Sequence, residues 1–141
     1  MRVINMDYQA LAREAIAARE GSYSPYSGFM VGAALLTKDG KIYRGCNIEN
    51  AAYTPSSCAE RTAFFTAVAA GEREFAAIAV AGWARGGQPG FAYPCGVCRQ
   101  VMMEFCDPDE FVIITAAGEE NYRVNTLREL LPEGFGPADL H

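Results

Sequence analysis

The stretch FAAIAVAGW, residues 75–83, contains no charged residue and no alternation of apolar with polar side chains. Such a run is typical of a strand covered on both faces, as in a sheet that lies between two layers of helices. The glycine-rich segment ARGGQPGFAYP, residues 84–94, follows it as a loop. We therefore predict a strand buried on both faces, and we expect the neighbouring segments to supply the helices that cover it.

Four segments have the pattern of such helices. Residues 58–70 are rich in alanine, and these small side chains allow close packing on a sheet. Residues 95–106 predict a helix of about three turns. Residues 7–20 carry apolar side chains at helical spacing, and residues 126–131 predict a short last helix.

Two pairs of strands complete the predicted sheet. Residues 30–37 and 41–48 flank the turn KDG, which favours a hairpin. Residues 110–117 and 122–125 are joined only by the turn GEEN, which is too short for a parallel crossover, so they should also be antiparallel. The order helix, hairpin, helix, strand, helix, hairpin, helix predicts one α/β domain over residues 1–141, with one mixed five-stranded sheet and helices on both faces.

Composition excludes several classes of function. The 141 residues carry a net charge of -5, which argues against a nucleic acid polymer as partner. The N-terminal segment MRVINMDYQALAREAIAARE includes acidic residues and has no uninterrupted apolar core, so it resembles neither a signal peptide nor a transit peptide. No segment approaches the length of a membrane span. We expect a cytoplasmic protein without a membrane partner.

The cysteines point to metal or thiol chemistry. An odd number of cysteines without an export signal disfavours a disulfide framework, and the five are Cys46, Cys58, Cys95, Cys98 and Cys106. The motif PCGVC, residues 94–98, places two thiols at the start of one predicted helix, and CAE, residues 58–60, places a third at the start of another. If the two helix starts converge, three thiols and one open position are typical of a catalytic zinc site.

Other interpretations of the thiols remain open. A buried free cysteine can act as a small apolar residue, and a C-x-x-C pair can be redox-active. Cys46 or Cys106 could complete a closed structural site of four thiolates. Cys106, however, lies about two turns beyond Cys98, roughly 12 Å along the same helix. We therefore expect both to be ordinary thiols, with Cys46 the less certain of the two.

Glu60 and Arg61 follow Cys58 in the first turn of a predicted helix. An acid there suits the helix dipole, and a small polar residue before it would supply the cap, so the segment SCAER could simply start a helix. Beside a metal, however, Glu60 is placed to act as a general base without being a ligand. A ligand-x-Glu motif followed by P-C-x-x-C is the signature of zinc deaminases. Arg61 could donate to a ligand sulfur and offset the charge of three thiolates.

With these motifs the chain resembles the small cytidine deaminases that act on free nucleosides. The resemblance covers nearly the whole length, through SPYSGFMVGAALLTKDGKIYRGCNIENAAY, CAERTA, PCGVCRQV and ELLPEGF. It implies the three-layer α/β/α cytidine deaminase-like fold and one Zn²⁺ per subunit, bound by Cys58, Cys95 and Cys98, with Glu60 as proton shuttle. It also implies a homotetramer whose active sites are completed by neighbouring subunits.

The resemblance also assigns the substrate contacts. Asn47 and Glu49 would bind the ribose hydroxyls, which agrees with their spacing: residues two apart on a strand point to one side, and the pair offers a donor and an acceptor. The remaining contacts would be Phe29 beside the pyrimidine, Ala59 between ligand and base, and Tyr53 and Phe135 at sites shared between subunits. Without the resemblance, we would expect the aromatic side chains to be packing residues.

The expected reaction is hydrolytic deamination of cytidine and 2'-deoxycytidine to the uridine counterparts and ammonia, in pyrimidine salvage. The alternatives are deamination of nucleoside analogues, editing of polynucleotides by a fold whose last two strands are parallel, and a structural zinc or redox module. The loop 84–94 is longer than the usual one of the family, and Tyr93 stands where a small residue is more common. We expect both departures to affect the range of substrates that the protein accepts.

Overall fold

The computed structural model describes residues 6–140, so residues 1–5 and 141 of the predicted domain lie outside the described residues. Within this range one sheet has the strand order β2-β1-β3-β4-β5. Only β3 and β4 are parallel; the other neighbours are antiparallel, including the predicted last hairpin. The strands are β1 Phe29–Thr37, β2 Ile42–Cys46, β3 Phe75–Ala84, β4 Val112–Ala116 and β5 Tyr122–Thr126. The mixed five-stranded sheet is confirmed.

Helices cover both faces of this sheet. The four α-helices are α1 Tyr8–Ala18, α2 Ala59–Ala69, α3 Gly96–Phe105 and α4 Leu127–Leu130, and two short 3-10 helices span Arg19–Gly21 and Pro137–Leu140. α1 packs on one face, whereas α2 and α3 pack on the other with a cluster of larger side chains. The predicted three-layer α/β/α arrangement is confirmed. None of the helices within residues 6–140 is both long and apolar enough to cross a bilayer.

The central strand β3 shows why the apolar run predicted two covered faces. Ala77, Ala79 and Ala81 point to the layer that contains α1, while Ile78 and Val80 point to the layer of α2 and α3. All five are almost fully buried. Because α3 connects the parallel pair β3 and β4, its N-terminus lies beyond the end of β3, where open α/β sheets usually bind ligands.

The second strand ends earlier than expected. The predicted strand 41–48 stops at Cys46: the Asn47 nitrogen still donates to the Val31 oxygen of β1 at 3.2 Å, but Ile48 turns away from β1 and pairs elsewhere. Ile48 forms isolated bridges with Tyr23 and with Ser57. This turn carries the chain from the edge of the sheet toward the start of α2.

Glycines bring the helices directly onto the strands. A Cβ atom added to Gly45 in β2 would lie 2.4 Å from both the Ala59 carbonyl oxygen and the Ala63 nitrogen of α2. On the other face, a Cβ on Gly32 in β1 would lie 2.1 Å from the Ala15 oxygen of α1. Contacts this short with backbone atoms cannot be relieved by rotating a side chain. These positions therefore set how closely each helix layer approaches the sheet.

The substitution Gly45→Ala should destabilise the protein by about 1–3 kcal/mol, because the new methyl group would push α2 away from β2. The matched control is Gly90→Ala, since no atom lies within 4 Å of a Cβ at that loop position. Urea unfolding of the zinc-loaded proteins measures the difference. A Gly45→Ala protein as stable as Gly90→Ala would show that the helix does not depend on this close approach.

Candidate active site

Two helices begin with a cysteine. Cys58 is the N-cap residue of α2 and Cys95 is the N-cap residue of α3, both with extended backbone angles. The Cys95 sulfur accepts a hydrogen bond from the Cys98 backbone nitrogen at 3.5 Å. The expectation that a small polar side chain caps α2 is wrong, because the Ser57 hydroxyl lies 3.2 Å from the Cys58 carbonyl oxygen and donates to it. Both helix starts therefore present a sulfur where a hydroxyl usually stands.

The three predicted ligand sulfurs meet at one point. The sulfurs of Cys58, Cys95 and Cys98 all lie within 4.8 Å of one another. The separation is 3.7 Å between Cys58 and Cys95 and 3.5 Å between Cys95 and Cys98. Tetrahedral zinc with Zn–S bonds of about 2.3 Å requires sulfur separations of about 3.8 Å. The spacing and the soft donor set therefore fit Zn²⁺.

Neither remaining cysteine joins this group. Within residues 6–140, the group of three thiols contains no fourth His, Cys, Asp or Glu. Cys46 lies at the end of β2 and Cys106 at the end of α3, and both are partly buried free thiols. Burial raises the pKa of each, as expected for a thiol in apolar surroundings. The cluster thus offers a metal three protein ligands and no fourth within the described residues 6–140.

Arg61 reaches back to the first of these sulfurs. Its Nη2 donates to the Cys58 sulfur at 3.3 Å. The neighbouring Cys98 thiol and the hydrogen bond from Arg61 lower the pKa of Cys58 to about 5, although burial opposes them. The nearby Cys58, together with burial, raises the pKa of Cys98. The Arg61 guanidinium is thus placed to balance negative charge on Cys58.

Glu60 is a buried acid beside the thiols. It lies in the first turn of α2 and only 4% of its surface is exposed. Burial raises its pKa to about 7, and the negative charge at Cys58 adds to the effect. A carboxyl group with a pKa near neutrality can both accept and donate a proton. Glu60 therefore has the protonation behaviour that a general acid-base group needs.

One cleft of about 480 Å³ contains these groups and most of the predicted substrate contacts. Such a volume lies in the range of small-molecule sites. Its lining includes residues from the two helix starts and the loop before α3, which are Cys58, Glu60, Arg61, Tyr93, Cys95 and Val97, and residues of β1 and the loop after β2, which are Phe29, Asn47, Glu49, Tyr53 and Ser56. The structure thus brings together predicted residues from β1, from the loop after β2, and from both helix starts.

Two predicted contacts do not line this cleft in a single chain. Ala59, the first residue of α2, is completely buried in the core. Phe135 is 56% exposed, and its carbonyl oxygen accepts from Gln100 Nε2 at 2.8 Å. Tyr53 does line the cleft, with a φ of 65° and 72% exposure, a left-handed conformation that is uncommon for such a side chain. The roles of all three in binding stay predictions.

Asn47 has few free hydrogen-bonding positions. Its Oδ1 accepts from the Val31 nitrogen at 3.0 Å and from the Ser22 hydroxyl, and its Nδ2 donates to the Phe29 oxygen at 2.8 Å. One N–H of the amide is left for a ligand. Asn47 therefore ties the first residues of β1, and Ser22 before it, to the loop after β2.

Glu49 joins the same loops. Its carboxylate accepts from the backbone nitrogens of Tyr26 and Ser27 at 3.0 and 3.1 Å and from the Ser27 hydroxyl. The bond from the Ser27 hydroxyl is the main cause that lowers the pKa of Glu49, so the side chain is an anion with lone pairs left to accept.

Sequence reasoning missed the residues that hold the site in place. Ser22 and Ser27 orient Asn47 and Glu49, and Arg99 donates to the Pro94 oxygen at 2.7 Å and to the Leu130 oxygen, which fixes the start of α3. Nothing in their spacing marks them, because each acts through a contact that is distant along the chain. Only the place of Arg99 in the motif CRQ and of Ser27 in SPYSG could have drawn attention to these two residues, and Ser22 lies outside both motifs.

Comparison with known proteins agrees with this geometry. Residues 6–115 match the family model described as the cytidine and deoxycytidylate deaminase zinc-binding region. The cytidine deaminase of Halalkalibacterium halodurans is 49% identical over 136 residues, which cover 96% of this chain and 99% of that protein. The cytidine deaminase of Sporosarcina psychrophila is also 49% identical, over 135 residues that cover 96% of each chain.

Solved structures show the same fold. The crystal structure of cytidine deaminase from Burkholderia pseudomallei has a TM-score of 0.83 and 50% sequence identity, covering 92% of this chain and all of that one. Cytidine deaminase from Mycobacterium tuberculosis has a TM-score of 0.81 and 36% identity, covering 94% and 99% of the two chains. The resemblance inferred from the motifs is confirmed, and the chain belongs to the cytidine and deoxycytidylate deaminase family.

Proposed function

We propose that the protein hydrolyses cytidine and 2'-deoxycytidine to uridine and 2'-deoxyuridine with release of ammonia, a reaction of pyrimidine salvage. One observation carries the proposal: Cys58 and Cys95, two of the three convergent thiols, line the same cleft as the buried acid Glu60 and the polar residues Asn47 and Glu49. Zinc bound by the thiols supplies a Lewis acid that makes water nucleophilic near neutral pH. The cleft then orients the pyrimidine with C4 toward the thiols and the sugar toward the loop after β2.

Glu60 moves the protons in this reaction. Its carboxylate accepts a proton from the attacking water and donates it to N3 of the pyrimidine while oxygen bonds to C4. It next accepts the proton of the new C4 hydroxyl and donates it to the amine. The C4–N bond then breaks, ammonia leaves and the C4 carbonyl forms. Glu60 ends as it began, and the sum is cytidine plus water giving uridine plus ammonia.

Several observations favour this reaction over the alternatives. The antiparallel last hairpin differs from the parallel pair expected of polynucleotide editors, and the net charge of -5 opposes a nucleic acid partner. A closed structural site would require a fourth protein ligand, and none joins the three thiols within residues 6–140. A buried acid next to an open metal position also has no use in a purely structural module.

The finer assignments belong to the same proposal. We infer a cytoplasmic homotetramer in which neighbouring subunits complete each site. The exposed apolar side chains near or beyond the rim of the cleft support such contacts: Tyr53 and Phe135 are 72% and 56% exposed, although each carries an aromatic ring. Aromatic residues are enriched in interfaces because they bury a large area.

Replacing Glu60 with glutamine should lower kcat for cytidine by about 10⁴-fold, the upper end for loss of a proton-transfer group, because both proton transfers use this carboxylate. Bound zinc should stay near the wild-type level, since Glu60 is not one of the three convergent ligands. An ammonia-release assay measures kcat, and metal analysis of the same preparation measures the bound zinc. Turnover near the wild-type rate would refute the role of Glu60.

The ligand assignment is tested by paired alanine variants. Cys98→Ala should lose most of its zinc, because two thiols cannot hold the ion as three do, whereas Cys106→Ala should retain it, because Cys106 lies outside the cluster. Metal content is measured after dialysis of reduced protein against a weak chelator. Equal zinc in the two variants would contradict the assignment.

Glu49 and the ribose can be tested with a substrate series. Glu49→Gln should lower kcat/KM for cytidine by about 10- to 100-fold, as loss of a hydrogen bond to a charged group implies. The same variant should lose little activity toward 2',3'-dideoxycytidine, which lacks the hydroxyls. Because Glu49 also holds Tyr26 and Ser27, a loss of equal size with both substrates would assign it a positioning role only.

A further inference from the structure

Tyr93 forms part of the cleft wall at the end that contains the thiols. It lies two residues before Cys95 and lines the cleft with its neighbour Ala92. Its ring is not buried in the core, since 39% of the residue is exposed. Tyr93 therefore brings an aromatic residue to the lining of the cleft two positions before the Cys95 thiol.

The tyrosine side chain is held at its far end. Arg123 Nη1 donates to the Tyr93 hydroxyl at 2.8 Å. The Arg123 guanidinium in turn lies over the ring of Phe91, with its central carbon 4.0 Å from the ring centroid. Arg123 is in β5, where it pairs with Thr115 of the buried strand β4. A charged hydrogen bond and a cation-π contact thus connect the cleft wall to the edge of the sheet.

The near end of Tyr93 is fixed as well. The next residue is Pro94, whose ring restricts the backbone and whose carbonyl accepts from Arg99 Nε at 2.7 Å. Pro94 is among the fully buried side chains. With its backbone and its hydroxyl both anchored, the Tyr93 ring is a fixed part of the wall that cannot swing away at low cost.

The position of the wall identifies the part of the substrate it faces. In the proposed reaction, C4 of the pyrimidine points to the thiols and N3 faces Glu60. The atoms attached around C4 on the remaining sides are the exocyclic nitrogen and C5, and these approach the wall formed near Cys95. A fixed ring at this place limits the room for any group attached to either atom.

We propose that Tyr93, anchored by Arg123 over Phe91, is a specificity-determining residue that excludes pyrimidine nucleosides with substituents on the exocyclic nitrogen or on C5. This inference rests on the proposed function. It predicts that the protein prefers unmodified cytidine and that opening the wall broadens the substrate range. A pocket discriminates against one surplus carbon by about 10- to 200-fold, so the effect is large enough to measure.

The experiment compares kcat/KM for cytidine, N4-methylcytidine and 5-iodocytidine in four proteins. Tyr93→Ser should raise the ratio of a modified substrate to cytidine by about 10-fold or more relative to the wild type. Arg123→Met keeps an aliphatic side chain of similar length but removes the hydrogen bond to the Tyr93 hydroxyl. It should raise this ratio less than Tyr93→Ser does, because the Tyr93 ring is still present and has only lost its anchor. Because the ratio for each modified substrate is compared between variants, the intrinsic reactivity of that substrate cancels.

Tyr122→Ser is the matched control. It removes a tyrosine from the same strand as Arg123, but the ring of Tyr122 contacts Tyr8 of α1 on the other face of the sheet. It should leave the ratios unchanged. The zinc content of every variant is measured, so that loss of metal is not read as a change in specificity.

Ratios for both modified substrates that stay within about threefold of the wild type in Tyr93→Ser, with zinc retained, would overturn the inference. If Tyr93→Ser does not fold, unchanged ratios in Arg123→Met would overturn the inference instead. Equal losses with all substrates would indicate a structural role and would also overturn it. A wild-type protein that binds zinc but does not deaminate cytidine would overturn the proposed function and, with it, this inference, so the two failures are distinguishable.

Discussion

The active site depends on a contact between two backbones. At Gly45 the strand β2 meets α2 without a side chain between them, so that a single added carbon would lie 2.4 Å from atoms of Ala59 and Ala63. Ala59, fully buried at this contact, separates Cys58 from Glu60 in the sequence. The contact that positions Ala59 therefore also fixes Cys58, the proposed metal ligand, on one side and Glu60, the proposed proton-transfer group, on the other. Packing and chemistry are determined by the same residues.

This close approach also explains the electrostatics of the site. Because α2 is pressed onto the sheet, Glu60 is removed from water and its pKa rises to about 7. Three thiols in the same place would repel one another if all were ionised. Two helix N-termini and the Arg61 guanidinium supply the opposing positive charge. The neighbourhood thus tolerates thiolates while it keeps the adjacent carboxyl group easily protonated, which a metal hydrolase requires of its base.

The fold could be predicted to a large extent because its signals are local. The apolar run of β3 indicated two covered faces, and the short turn between β4 and β5 excluded a parallel pair; both predictions are confirmed. The thiol cluster could be predicted because its motifs stand at two helix starts. Contacts between segments that are distant along the chain could not be predicted from the sequence. The early end of β2 results from the pairing of Ile48 with Tyr23 and Ser57, and no periodicity reveals it.

The same distinction applies to the site. Motifs identified the groups that carry the chemistry, whereas the groups that hold them act through tertiary contacts. Asn47 was expected to serve a sugar, yet most of its amide ties Val31, Ser22 and Phe29 together. Ala59 and Phe135, expected as contacts, do not line the cleft within one chain.

The two ends of the cleft are built on the same plan. At the sugar end, Glu49 binds the backbone before β1, and at the thiol end Arg123 binds the hydroxyl of Tyr93. In each case a charged side chain fixes a loop before any substrate arrives. Ordering a loop on binding would cost free energy, and a cleft ordered in advance avoids that cost. In the proposed binding mode, a nucleoside whose sugar binds at Asn47 and Glu49 would place its base at a distance set by the protein, with C4 toward the thiols and Glu60. This arrangement contributes to the reaction by orienting the substrate more than by binding it strongly.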